Sequence, residues 1–345
     1  MIPLDDEAAL RAGDPSGLLD AFATLPRQLR EGYAVGLEAA VPSPADPRAV
    51  VLCGVGGSAA AADVVEAALA ERADRPVVVL RDDRVPTWVD DRTLVVCLSY
   101  SGTTAETIAA AEDASRRRAT PIVVASGGPL AREAGERAVL VPPSAPAPRA
   151  ALGWLTGALL GVLEAAGIGG PDGRAAVASE ELERTVSALT PGVPMAENAA
   201  KRVADRLGDR VPVVWAPVPN LLPAALRWKA AFNENAEIPA FASFLPELAH
   251  HEVVGWTKQW SDRFAVVGLR APDEEGPAGD RTRAALDLIA EAGIEHEEIH
   301  VGGRGLAALL GLIAVGDFAS TYHALMRGID PAPIEAIRRL KDRLR

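Results

Sequence analysis

Leu94-Val95-Val96-Cys97-Leu98-Ser99-Tyr100-Ser101-Gly102-Thr103-Thr104-Ala105-Glu106-Thr107 passes from an unbroken apolar run to a cluster of hydroxyls around one glycine. The run Leu94–Leu98 reads as a buried strand, and the hydroxyls as the turn into a helix from about Thr103 to Arg117. Such a turn presents backbone N–H groups and the positive end of a helix dipole. With side-chain hydroxyls beside them, these groups suit a phosphate. Ser99, Ser101 and Thr104 also suit plain N-capping, which their residue types favour.

Working outward, the same alternation recurs. Strands are expected at Val50–Val55, Pro76–Leu80, Pro121–Ala125 and Ala138–Val141, with an alanine-rich helix from about Ser58 to Glu71. This order implies a parallel sheet covered by helices on both faces. Pro142–Pro148 can continue neither a helix nor a central strand. A helix from about Arg149 to Ala166 and a loop at Gly167–Gly173 follow. Helical patterns cover 16–41 and 175–207, then the alternation restarts. Strands fit Val211–Ala216, Arg263–Leu269 and His296–Val301, and helices fit 220–234, 280–292, 304–326 and 332–344. Ala271–Gly279, acidic and rich in Pro and Gly, reads as a surface loop. The expected organisation is a helical segment at 1–40, one α/β domain at 41–170 and a second at 171–345.

Composition narrows the function. The 345 residues carry 35 Lys and Arg against 47 Asp and Glu, a net charge of −12. That balance argues against nucleic acid as the partner. Any anionic ligand must be drawn by local groups. Cys53 and Cys97 each end an expected buried strand and form no disulfide framework, which fits a reducing cytoplasm. The acidic N-terminus lacks the features of a signal peptide. The apolar runs Ala151–Leu163 and Leu306–Val315 are too short to span a bilayer and read as core or interface helices.

A second glycine-rich turn, Gly54-Val55-Gly56-Gly57-Ser58-Ala59, follows a strand and opens a helix. It reads as G-x-G-x-x-A, the dinucleotide fingerprint, with Asp82 as the ribose-binding acid. It also reads as a bare tight turn, or as a sugar-phosphate cradle in which Gly56 and Gly57 admit the ligand to the backbone and Ser58 adds a hydroxyl. Both turns lie at the carboxyl ends of parallel strands, where open sheets bind ligands. Two hydroxyl-bearing turns in one crevice suit a compact phosphorylated ligand better than a dinucleotide.

Taken together, these two turns resemble the phosphosugar-binding signature of sugar isomerase (SIS) domains. In the second half, Arg227-Trp228-Lys229, Asn233-Glu234-Asn235, Pro239, Pro246–Glu252 and Gly255-Trp256 resemble the bifunctional phosphoglucose/phosphomannose isomerases. Asp330–Ile334 and Leu340-Lys341 fit as well. The resemblance implies an α/β fold of two SIS-type domains and interconversion of glucose 6-phosphate, and of mannose 6-phosphate, with fructose 6-phosphate. It implies that Gly56, Gly57, Ser58, Ser99, Ser101 and Thr104 hold the sugar phosphate. Glu234 would move a proton between C1 and C2, and His250 would assist ring opening. Arg149 would stabilise the enediolate, and Lys341 would face the ring oxygen or the C1 hydroxyl. It further implies a cytoplasmic homodimer with His250 supplied across the interface. Ala249, His251 and Ala332 depart from the family pattern, which bears on the balance of glucose and mannose activity.

The chemistry is consistent with this reading. Proton transfer alpha to a carbonyl needs a tuned carboxylate, and the developing charge needs a fixed cation. No metal or organic cofactor is required, and no H-x-H, H-E-x-x-H or C-x-x-C spacing occurs. His296, His300 and His323 are scattered and have no assigned role. Two rival readings remain: a non-catalytic phosphosugar-binding SIS protein, and a nucleotide-dependent oxidoreductase that uses Gly54–Ala59.

Overall fold

The structure is a computed structural model and describes residues 2–39, 42–169, 174–270 and 276–343. Its helices and strands, in chain order, are α1 (Glu7–Gly13), α2 (Leu18–Ala23), α3 (Leu25–Glu38), β1 (Ala49–Cys53), α4 (Gly57–Leu69), β2 (Val77–Leu80), β3 (Thr93–Leu98), α5 (Ala105–Arg116), β4 (Ile122–Ala125), α6 (Gly128–Ala134), β5 (Ala138–Leu140), α7 (Leu152–Ala165) and α8 (Arg174–Ser187). The second half follows with α9 (Ala199–Leu207), β6 (Val211–Ala216), α10 (Leu222–Asn235), β7 (Phe241–Phe244), β8 (Phe264–Arg270), α11 (Pro277–Glu291), β9 (Glu295–His300), α12 (Leu306–Met326) and α13 (Glu335–Arg343).

The chain divides into two compact units, residues 24–180 and residues 1–23 with 181–345. This differs from the expected division at 1–40, 41–170 and 171–345. The N-terminal helices do not stand apart: α1 and α2 belong with the second half, and α3 with the first. The physical reason is packing that local sequence does not reveal. Phe22 of α2 lies against Phe318 of α12, with ring centroids 6.2 Å apart. Meanwhile α3 packs along α7 backbone to backbone: a methyl group at Gly36 would stand 2.1 Å from the Ala158 carbonyl oxygen, and one at Gly157 2.3 Å from that of Leu29.

In the 24–180 unit, five parallel strands run in the order β2-β1-β3-β4-β5. The central strands β1, β3 and β4 are buried throughout, as near-continuous apolar runs demand. One face, with Val51, Cys53, Val95, Cys97, Val123 and Ala125, packs on α5 and α6. On the other side, α4 and α7 close the layer. Cys53 and Cys97 stand opposite each other in register as buried thiols. Helix α6, a single short segment, has no counterpart among the expected elements.

The other unit holds four parallel strands in the order β7-β6-β8-β9. Strand β7 is likewise additional to the expected set: it is four residues long, lies at an edge and is only half-buried. Helix α12 runs beyond the expected apolar stretch to 21 residues. By length and composition it could cross a bilayer, yet its apolar window is 94% buried inside the protein, so it is a core helix. Helix α10 lies across it, with Trp228 donating Nε1–H to the Leu312 carbonyl at 2.7 Å. Only residues 276–279 of the expected loop Ala271–Gly279, and 167–169 of Gly167–Gly173, fall within the described residues.

Candidate active site

In the 24–180 unit, both glycine-bearing turns lie at the carboxyl ends of adjacent strands, β1 and β3. Gly54 is tightly placed: a methyl group there would stand 3.2 Å from the Leu98 carbonyl oxygen and from the Ala59 nitrogen. Gly56 has φ +60° and precedes α4 with no side-chain cap on the helix. Ser58 is buried, and its Oγ accepts the N–H of Tyr100 at 3.3 Å. That bond joins the two turns directly.

In the β3–α5 turn, buried Ser99 donates Oγ–H to Thr104 Oγ1 at 3.0 Å. Ser101 is exposed and pairs with Thr103 at 2.8 Å. Thr104 precedes α5, yet its side chain does not cap the helix. The bland reading of these hydroxyls as N-caps therefore fails for Thr104. Both helices begin with first-turn N–H groups that no side-chain cap engages, which leaves an anion-binding arrangement.

The sequence predicts Arg149 at the opening of a helix. It lies instead in a short 3-10 turn, Pro148–Ala151, just before α7. It is buried, with 3% exposure, rather than a solvated loop arginine. A methyl group at Gly57 would stand 3.4 Å from its Cα, so the backbone of Arg149 touches the first turn of α4. Gln28 of α3 fixes the next residue by donating Nε2–H to the Ala150 carbonyl at 2.8 Å. The structure thus brings Gly56, Gly57, Ser58, Ser99, Thr104 and Arg149 into one neighbourhood, with Ser101 on its exposed rim.

Sequence reasoning passes over three participants here. Ser126, after β4, donates both N–H (2.8 Å) and Oγ–H (2.6 Å) to the Tyr100 carbonyl. Gly128 allows its turn to meet Ser101 and Gly102 at backbone distance. The run Ala125-Ser126-Gly127-Gly128 repeats the strand-to-glycine signal and could have been read. Tyr100 is the third participant. A cleft of about 320 Å³ between α5 and α6, lined by Ile108, Ser115, Pro121 and Arg137, contains none of these residues.

The other unit carries Glu234, His250 and Lys341. Glu234 is half-buried near the end of α10, beside buried Phe232 and Asn235. Two turns earlier, Arg227 makes a buried bidentate ion pair with Asp317 of α12, at 2.8 and 3.1 Å. Burial opposes the Arg227 charge, but the Asp317 charge and hydrogen bond outweigh it, and Glu234 adds to them. The Asn235 amide donates to Ser320 Oγ at 2.9 Å, so α10 is fixed on both sides of Glu234.

His250 ends a 3-10 turn, Glu247–His250, and is exposed rather than a core histidine. Buried Leu248 anchors the turn, and Trp215 Nε1–H donates to Glu252 at 2.7 Å just beyond it. His251 is exposed, 3.5 Å from Glu247. Lys341 is exposed on α13. Asp82 is exposed after β2 and accepts the N–H of Asp83.

Known proteins share this sequence pattern and fold. Residues 45–152 match the SIS domain, and residues 196–344 match the bacterial phospho-glucose isomerase C-terminal SIS domain. The chain is similar to the bifunctional phosphoglucose/phosphomannose isomerase of Caldicellulosiruptor bescii, with 32% identity over 95% of this chain and 98% of that protein. It is 30% identical to that of Aquifex aeolicus over 86% of this chain and 91% of that one. In fold it resembles the crystal structure of a hypothetical protein from Thermus thermophilus, with a TM-score of 0.74, 20% identity, and coverage of 98% of this chain and 94% of that one. With two parallel sheets, two matched SIS segments and relatives aligned over nearly their whole length, the chain belongs to the bifunctional phosphoglucose/phosphomannose isomerase family.

Proposed function

We propose that this isomerase interconverts glucose 6-phosphate, and mannose 6-phosphate, with fructose 6-phosphate through an enediolate. The observation that carries the reading is the pair of uncapped helix starts at α4 and α5, tied by the Tyr100–Ser58 bond, with buried Arg149 against Gly57. The first-turn amides and the hydroxyls of Ser58, Ser99, Ser101 and Thr104 hold the phosphate. Glu234 takes the proton from C2 of the open-chain aldose and returns it to C1. The 2-hydroxyl proton passes to the oxygen on C1, so the ketose forms with no change in composition. Arg149 supplies a fixed cation for the enediolate oxygen. His250 and Lys341 assist ring opening by moving a proton at the ring oxygen and the C1 hydroxyl.

The same reading includes a homodimer in the cytoplasm, with His250 acting across the interface. An exposed apolar side chain in the His250 segment supports it: Val254, whose N–H donates to the His251 carbonyl, is 79% exposed.

A coupled assay with each aldose 6-phosphate tests the activity. Wild type is expected to turn over both, and Glu234→Gln to lose about 10³-fold in kcat with its fold intact. Stabilisation by sugar phosphate without turnover would replace this reading by a binding function. Tight binding of NAD(H) or NADP(H) would replace it by an oxidoreductase.

A further inference from the structure

Tyr100 lies in the middle of the phosphate turn, yet its side chain leaves that turn. We propose that Tyr100 is a positioning residue for Arg149: its hydroxyl pins the proline-rich strap that delivers the arginine. The inference rests on the isomerase reading above and adds to it a residue that acts through another.

The backbone of Tyr100 is held by two other turns. Its N–H goes to Ser58, and its carbonyl accepts two bonds from Ser126. With both backbone groups engaged, the ring has a defined origin. Its hydroxyl donates to the Pro142 carbonyl at 3.0 Å and accepts the Ala145 N–H at 3.0 Å. The donor and one acceptor site of a phenol are both used, and both partners are strap backbone.

The strap has few other ways to be fixed. Of the seven residues of this strap, Pro142–Pro148, the four prolines Pro142, Pro143, Pro146 and Pro148 have no N–H to donate. Pro143, Ser144, Pro146 and Pro148 are at least partly exposed. The strap's start is held by the Val141 N–H on the Ala125 carbonyl, and its end by the Ala150 N–H on the Ala147 carbonyl. Tyr100 holds the middle. Immediately after the strap comes Arg149, whose backbone packs on the first turn of α4. A drift of the strap therefore moves the guanidinium relative to the phosphate cradle. Electrostatic stabilisation depends on donors that are fixed before the charge develops, and displacements near 1 Å are felt strongly in rate.

Tyr100→Phe keeps the ring and removes only the hydroxyl. The expected result is a fall of about tenfold in kcat with KM within about twofold, because the phosphate-holding hydroxyls and the backbone bonds of Tyr100 remain. In an Arg149→Gln background the same change is expected to add less than about twofold, because the residue it serves is gone. Hydrogen exchange at the Ala145 amide should speed up. Ala145→Pro removes the donor from the strap side and should reproduce the kcat loss with Tyr100 intact. This second variant decides the question if Tyr100→Phe folds poorly. An unchanged kcat in both variants, or losses that simply multiply with Arg149→Gln, overturns the proposal while leaving the isomerase reading in place. If wild type turns over no hexose 6-phosphate, the isomerase reading falls instead. Ala145 exchange still reads the pin, and no change on Tyr100→Phe overturns it.

Discussion

The phosphate turns and the His250 segment are built in opposite ways. In the 24–180 unit, each turn at the strand ends is bonded to another: Ser58 to Tyr100, Tyr100 to Ser126, and the Gly102 carbonyl to the Leu130 N–H. In the other unit, Glu247–Trp260 is three short 3-10 turns with His250, His251 and Val254 at least partly exposed. It is tied to the sheet by Leu248, by the Trp215–Glu252 bond, and by edge contacts of Trp256 and Trp260 on Phe264. Few buried contacts and exposed backbone place such a segment at the less stable end of a fold. The contrast follows from the work proposed for each region. A phosphate is the same group in aldose and ketose, so a rigid cradle serves both. The sugar ring opens and closes, and the groups proposed to act on it lie on exposed elements.

Between these extremes stands α10, which carries Glu234 and is fixed from beneath by a buried ion pair. Asp317→Ala breaks the comparison at its strongest point. It leaves Arg227 charged, buried and without its main partner. A loss of about 3 kcal/mol in unfolding free energy is expected, read by urea denaturation. A change under about 1 kcal/mol would show that α10 does not depend on the pair.

Gly102→Ala probes the cradle. Gly102 has φ +64°, and a methyl group there would stand 1.9 Å from the Gly127 carbonyl oxygen. The added atom must push the β4–α6 turn away, and the left-handed backbone is strained as well. A loss of about 2 kcal/mol is expected, together with weaker binding of inorganic phosphate. Stability lost without any change in phosphate affinity would separate the turn from the anchor. Alanine at Gly255 makes the contrast sharper. A methyl group there meets nothing within 4 Å, so stability should change by less than about 0.5 kcal/mol.

The central sheet was legible because β1, β3 and β4 are buried on both faces, so their residues form unbroken apolar runs. The hydroxyls at 99–104 stood out because several of them gather around one glycine opposite a second glycine-rich turn, more than plain N-capping needs. Strand β7, Phe241-Ala242-Ser243-Phe244, was not, since an edge strand of four half-exposed residues carries little pattern. The placement of α3 was hidden for another reason. Its glycine face meets that of α7 more than a hundred residues later, and no local rule pairs them. Burial of Arg149 could not be read either, since a proline-rich approach suits a solvated loop equally well. Tyr100 was visible as a letter in the turn, but its partners are strap backbone atoms more than forty residues away.

The two units should also differ in their response to acid. The phosphate cradle consists of hydroxyls and amides that do not titrate near neutrality. In the other unit, His323 of α12 is buried beside Phe232, with Nδ1 3.2 Å from the Ala204 carbonyl. Burial pushes its pKa below the usual histidine value and Arg327 adds to this, while the Ala204 contact and Asp209 work against them. The folded protein therefore takes up this proton at lower pH than the unfolded chain does. Stability from neutral His323 is fully present above about pH 6.5, the unfolded value, and is lost as pH falls through the folded one. The effect is bounded by one proton, about 1.4 kcal/mol per pH unit at most. His323→Gln removes the titration while keeping a polar side chain of similar reach. Urea unfolding at pH 7.5, 6.5 and 5.5 should show a shallower decline for His323→Gln than for wild type. Parallel declines would assign the acid sensitivity elsewhere and remove this difference between the two units.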